Sequence, residues 1–131
     1  MSKGGSSSVV YFVRGIRGAT TVTQNDEKLI LDATKELLQE IIKKNSIKKE
    51  NVAAVFFTTT QDLNAAYPAQ AARILGWDKV PLFGSVEINK PEGLPFCIRV
   101  LILTNTTLNQ DEIKHVYLKN AKTLREDLRH F

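Results

Sequence analysis

After a polar leader the chain opens on residues 9–22, whose start is β-branched and aromatic, a pattern that predicts a strand. Residues 23–25 turn the chain, and Asn25 or Asp26 is placed to cap a helix with Glu27 in its first turn. Ile30, Ala33, Leu37, Leu38, Ile41 and Ile42 then form one apolar stripe at helical spacing. Lys43 and Lys44 suit the dipole of the last turn, and Asn45 is the expected stop. A lysine-rich loop leads to a strand over residues 52–60, in which Val55, Phe56 and Phe57 are apolar without a break. Such a run predicts a strand covered on both faces.

A short helix fits residues 68–76, with Pro68 in its first turn and Gly76 at its end. Residues 80–88 read as a third strand that carries an acid, Glu87. Residues 89–95 hold two prolines and a glycine and read as a loop. The strongest strand pattern is F-C-I-R-V-L-I-L-T, residues 96–104. A turn follows, then a short strand over residues 113–118, with a helix as the alternative, and an irregular or 3₁₀ turn over 119–124. The charged end, 125–131, is expected to be mobile.

This order predicts an α+β fold: a mixed β-sheet with one long helix packed on one face. Nothing in the chain is left to cover the sheet's other face, yet the strands are apolar on both sides. A second copy of the chain resolves the mismatch, and closed cyclic symmetry is the usual arrangement.

Length and composition narrow the picture. A chain of 131 residues, 43% hydrophobic and 24% charged, is one ordinary globular domain, residues 9–131. Residues 1–8, M-S-K-G-G-S-S-S, read as a disordered leader or a cloning remnant. They lack the apolar segment of a signal peptide, and no run approaches the ~20 apolar residues of a membrane span. Cys97 is the only cysteine, which excludes an intrachain disulfide and makes a reduced, cytoplasmic setting the default. His115 and His130 are too few and too scattered for a metal site.

The candidate chemistry lies on the strands. In V-R-G-I-R-G-A-T-T-V, alternation puts Arg14, Ile16 and Gly18 on one face and Gly15, Arg17 and Ala19 on the other. Arg17 thus stands on an open floor, where its guanidinium fork can grip a small acid or pair with a neighbouring one. Arg99, among apolar strand residues, must face an acid, a ligand or solvent, because an unpaired charge there costs several kcal/mol. Glu87 has the same problem with opposite sign, and a buried Arg99–Glu87 pair is the plain structural solution. Tyr117 offers a hydroxyl on an apolar segment, or is a core tyrosine bonded to backbone. Arg73 ends the short helix, where an arginine commonly complements the dipole. Walker, dinucleotide-binding and nucleophile-elbow motifs are absent. These cations, one acid and one phenol can bind and orient an anion, but include no evident nucleophile or proton shuttle.

V-R-G-I-R-G-A-T-T-V, A-A-Y-P-A-Q-A-A-R, C-I-R-V and H-V-Y-L occur in the order and spacing of the small trimeric, Bacillus-like monofunctional chorismate mutases, and the chain resembles that family from about Val13 to Leu128. The resemblance implies a homotrimer with a pseudo-barrel core and active sites at subunit interfaces. It implies rearrangement of chorismate to prephenate, with no cofactor or metal, in phenylalanine and tyrosine synthesis. By matching motif, Arg99 would contact the breaking ether oxygen and a carboxylate, Arg17 a carboxylate, and Tyr117 a carboxylate through its hydroxyl. Glu87 would accept the ring hydroxyl and help place the arginine, and Phe83, Gly84, Ser85, Val86 and Glu87 would form one wall. Tyr67, Ala69 and Arg73 would come from the adjacent subunit, and Leu124 would lie near the closing tail. Gly84 stands where some members carry cysteine, Gln70 where some carry lysine, and Tyr67 where phenylalanine also occurs. These departures imply altered affinity before altered reaction.

Two other classes share part of the pattern. Trimeric enamine/imine deaminase-type proteins also hold small acids by an arginine at an interface, but Arg17, Arg99 and Glu87 together suit a dianion that bears a hydroxyl. A nucleic-acid-binding module has only the net charge of +4 behind it, since the lysines are scattered and form no aromatic-interleaved stripe.

Overall fold

In the computed structural model, which describes residues 9–124, strand β1 is Phe12–Thr21, paired antiparallel with β4, Cys97–Thr106. Both ends of this pair differ from the sequence expectation for one reason. Phe12 and Val13 find partners in Thr106 and Asn105, so β4 extends past Thr104, while residues 9–11 have no strand opposite them and lie outside the ladder. The expected leader and the charged tail, 1–8 and 125–131, fall outside the described residues.

Helix α1, Glu27–Asn45, follows β1. Asp26 is its cap, accepting the Leu29 N–H at 3.0 Å. Asn25 instead braces a distant loop, its Oδ1 accepting the N–H groups of Asn64 and Ala65. Asn45 is the last helical residue, and Ser46 in the left-handed region at φ 52° makes the stop. The buried stripe Ile30, Ala33, Leu37, Leu38 and Ile41 seats α1 on the sheet.

Strand β2, Val52–Thr59, pairs antiparallel with β4 and parallel with β3, Leu82–Val86. Helix α2, Ala69–Ile74, connects β2 to β3. Strand β5, Val116–Tyr117, runs parallel to β1, so the short-strand reading of that segment holds over the helical one. The sheet is mixed, in the order β3-β2-β4-β1-β5. Strand β3 is shorter than expected because β2 offers it partners only from Val55 to Thr59; Glu87 lies one residue beyond its end, though its N–H still reaches the Thr59 carbonyl at 2.8 Å.

One face of the sheet is covered by α1 and α2; the other is covered only at one end, by the small cluster of Ala19, Cys97 and Ala121. Ile16, Phe57, Val55, Val100 and Ile102 pack with Leu37, Leu38 and Ile41 in the main core. Gly18 lies directly beneath α1: a Cβ there would come within 2.6 Å of Ile41 Cδ1 and 3.1 Å of Leu37 Cδ1. On the opposite face Phe56 is 37% exposed and Phe83 63%, and their rings meet edge to face, centroids 6.1 Å apart. The unbroken apolar run at Val55–Phe57 is therefore covered on one side only within the chain. Among the described residues, no helix is long and apolar enough to cross a membrane.

Candidate active site

Strand register brings the candidate residues together in two rows on the uncovered face. Tyr117 pairs with Ala19, Ala19 with Arg99, Arg99 with Thr58, and Thr58 with Ser85, so one row crosses all five strands. The neighbouring row runs Arg17, Leu101, Phe56, Phe83. Arg17 and Arg99 are thus diagonal neighbours, with backbones about 7–8 Å apart. Arg14 faces the other way, as alternation requires: its Nε donates to the Leu108 carbonyl at 2.9 Å, and its guanidinium lies 4.6 Å from the Phe12 ring centre.

A cavity of about 580 Å³ opens over these rows, lined by Arg17, Arg99, Tyr117, Thr58, Phe56 and Leu124 among others. That volume is within the range of small-molecule sites. The Arg99–Glu87 ion pair is present, with Nε 3.2 Å from Glu87 Oε2, but it does not consume the arginine. The Arg99 side chain remains 47% exposed, and its other N–H donors, on the terminal nitrogens, are outside this bond. Glu87, 23% exposed, also accepts the Thr58 hydroxyl on the same Oε2. Thr58 and the pair thereby hold one another: an acid bonded on two sides sets the plane of the guanidinium that faces the cavity.

Cys97 stands two residues before Arg99 on the same face of β4, in a small buried cluster with Ala19 and Ala121. Burial pushes its thiol up to about 11, against a smaller downward pull from Arg99. It is a buried, packed residue with a protonated thiol. Cys97 should resist alkylation in the native protein at mildly alkaline pH and react at the rate of a free thiol in denaturant, as mass spectrometry of the labelled chain would record.

The remaining candidates form a second group. Gly84, Ser85, Val86 and Tyr67 line another cavity, of about 610 Å³, together with Gln70. The two cavities share no lining residue. Phe56 and Thr58 face the first, whereas Phe57 and Thr59 face the second, so strand alternation puts them on opposite sides of β2. The expected single wall of Phe83 to Glu87 is therefore split. Phe83, Ser85 and Glu87 belong to the open face with Phe56 and Arg99, Ser85 also reaching the rim of the second cavity, while Gly84 and Val86 lie beside the buried Phe57 and Thr59. The Ala69 methyl is buried in the main core, which leaves its backbone alone able to meet a ligand. Arg73 is exposed and lines neither cavity.

Three residues with a part in this geometry escaped the sequence reading. Thr58 bonds Glu87; the sequence marks it only as a residue of the predicted strand 52–60, although alternation from the buried Phe57 assigns it to the open face. His115 accepts the main-chain N–H of Arg17 on its Nδ1 at 2.9 Å. Asn45 clamps the backbone of Lys114, the residue before it. Among the described residues, no group of three or more His, Cys, Asp and Glu side chains gathers as a metal-binding set. The site's chemistry is that of two cations fixed on rigid strands, one carboxylate and one phenol.

The chain matches the family model described as chorismate mutase type I over residues 13–128. It is 50% identical over 117 residues to chorismate mutase AroH of Thermus thermophilus, covering 88% of this chain and 96% of that one. To chorismate mutase AroH of Bacillus subtilis it is 46% identical over 117 residues, covering 88% and 92%. The solved structure of a chorismate mutase from Clostridium thermocellum has a similar fold, with a TM-score of 0.83 and 44% identity, over 84% of this chain and 98% of that one.

Proposed function

Because the chain belongs to the chorismate mutase type I family, we propose that its active site is completed where two protomers of a homotrimer meet, each supplying one of the two half-sites. The activity is the conversion of chorismate to prephenate, an isomerisation in aromatic amino acid biosynthesis. The observation that supports the interface is that the candidate residues line two cavities with no lining residue in common, Phe56 and Thr58 in one and Phe57 and Thr59 in the other. The uncovered apolar face, with Phe56 and Phe83 exposed, supports the same reading. A cytoplasmic setting belongs to this reading too, supported by the lone free thiol of Cys97.

The chemistry asks little of the protein beyond placement and charge. Chorismate is a dianion, and its rearrangement shifts electrons around one ring of atoms without moving a proton or forming a bond to the enzyme. A catalyst must hold the flexible enolpyruvyl arm over the ring and favour the charge that grows on the breaking ether oxygen. Arg17 takes one carboxylate. Tyr117 bonds a carboxylate through its hydroxyl, and Arg99 reaches the ether oxygen and a carboxylate with its terminal nitrogens. Glu87 keeps the fork in plane through Nε and accepts the ring hydroxyl. From the neighbouring protomer, Gly84, Ser85 and Val86 form the far wall, with Tyr67, the Ala69 backbone and Arg73 at the mouth; Phe83 and Leu124 close the edges.

A crystal soaked with a bicyclic diacid shaped like the transition state tests the assignment. It should show the diacid between Arg17, Arg99 and Tyr117 of one protomer and the Gly84–Val86 segment of the next. A diacid held entirely by residues of one chain would reject the shared site.

A further inference from the structure

His115 stands immediately before β5 with its ring turned toward β1, its Nδ1 accepting the Arg17 main-chain N–H. A ring nitrogen that accepts carries no proton, so the neutral imidazole keeps its single proton on Nε2. The ring's place is set from behind. Asn45 at the end of α1, only 5% exposed, accepts the Lys114 N–H at 2.8 Å and donates to the Lys114 carbonyl at 2.9 Å. The β1–β5 ladder pairs Gly18 with Val116 and Ala19 with Tyr117, and the imidazole adds one further bond at the residue that bears the guanidinium.

We propose that His115 is a positioning residue for Arg17, its neutral ring pinning the Arg17 backbone so that the guanidinium meets a substrate carboxylate. This rests on the reading in which Arg17 grips that carboxylate. A proton on Nδ1 would set N–H against N–H and put a second cation beside the first. The charged group beside the ring is Arg17 itself, from β1; α1 acts on it only through the uncharged Asn45 amide, which holds the Lys114 backbone. Burial first, and the Arg17 charge second, pull the imidazole below its ordinary pKa. The accepting form therefore dominates at neutral pH. The bond is lost as pH falls through that depressed value.

Because a carboxylate grip acts equally on substrate and transition state, the effect falls on KM and leaves kcat largely unchanged. His115→Ala should raise KM about tenfold at neutral pH, the cost of a lost acceptor. His115→Asn places Oδ1 where Nδ1 stood, accepts at every pH, and should bring KM back to within about threefold while removing the acid-side rise in KM seen in the parent. The Arg17 amide resonance should titrate with the His115 ring in the parent enzyme and not in His115→Asn. Arg17→Ala separates the two claims. If it leaves KM unchanged, the carboxylate grip falls and the positioning role with it. If it raises KM while His115→Ala does not, only the positioning role is overturned. Should His115→Ala fail to fold, an unaltered acid-side rise in KM for His115→Asn overturns the proposal.

Discussion

Arg99→Ala will lower kcat by at least about 10²–10³-fold, the loss that follows removal of one donor aimed at a developing negative charge. The protein will still fold. The Arg99 side chain is half exposed and lines a cavity, so truncation opens no void in the core. Glu87 loses its cation but keeps the Thr58 hydroxyl and some access to water, so the carboxylate is not stranded. Arg99→Lys should be nearly as inactive. A lysine has one nitrogen at its tip, and it cannot bond Glu87 through one donor while two others point at the substrate in the same plane. Loss of chorismate absorbance in the ultraviolet gives the rate, and circular dichroism gives the fold. Activity within tenfold of the parent for the alanine variant would remove Arg99 from the chemistry.

Two inactive variants should recover activity when mixed. Gly84→Phe fills the second cavity from an exposed position where nothing lies within 4 Å of a Cβ, so the chain accepts the ring and the ligand does not. Overpacking of this kind costs about 1–3 kcal/mol of binding, or roughly tenfold to a hundredfold in kcat/KM. Arg99→Ala disables the other half-site. In trimers assembled from equal amounts of the two, about one site in four joins two intact halves. Co-refolded mixtures should therefore regain about a quarter of parental activity, above the tenth or less left to Gly84→Phe and the far smaller remainder of Arg99→Ala. If each chain carries a whole site, every chain in the mixture is defective and nothing is regained.

Alternation alone placed Arg17 and Arg14 on opposite faces of β1, and the structure keeps them there. Glu87 and Arg99 stood out because a charge among apolar strand residues demands a partner, and the partner of each is the other. The long helix followed from its stripe. Pairing register was not legible, and most of the site depends on it. Thr58 meets Glu87 across 29 positions, and His115 meets Arg17 across 98. No local period encodes such distances. The wall at Phe83 to Glu87 shows the same limit from the other side. The resemblance implies one surface there, whereas consecutive residues in a strand face apart. From the sequence His115 stands only as a scattered histidine without metal partners, though it lies in the H-V-Y-L motif two residues before Tyr117.

The row from Tyr117 through Ala19, Arg99 and Thr58 to Ser85 makes the proposed site hostage to counting. One residue inserted into the middle of β4 would turn the guanidinium of Arg99 inward beneath α1 and bring Ile98 or Val100 to the ligand's side. The chain could hold every amino acid the reaction needs and still be inert, for want of parity.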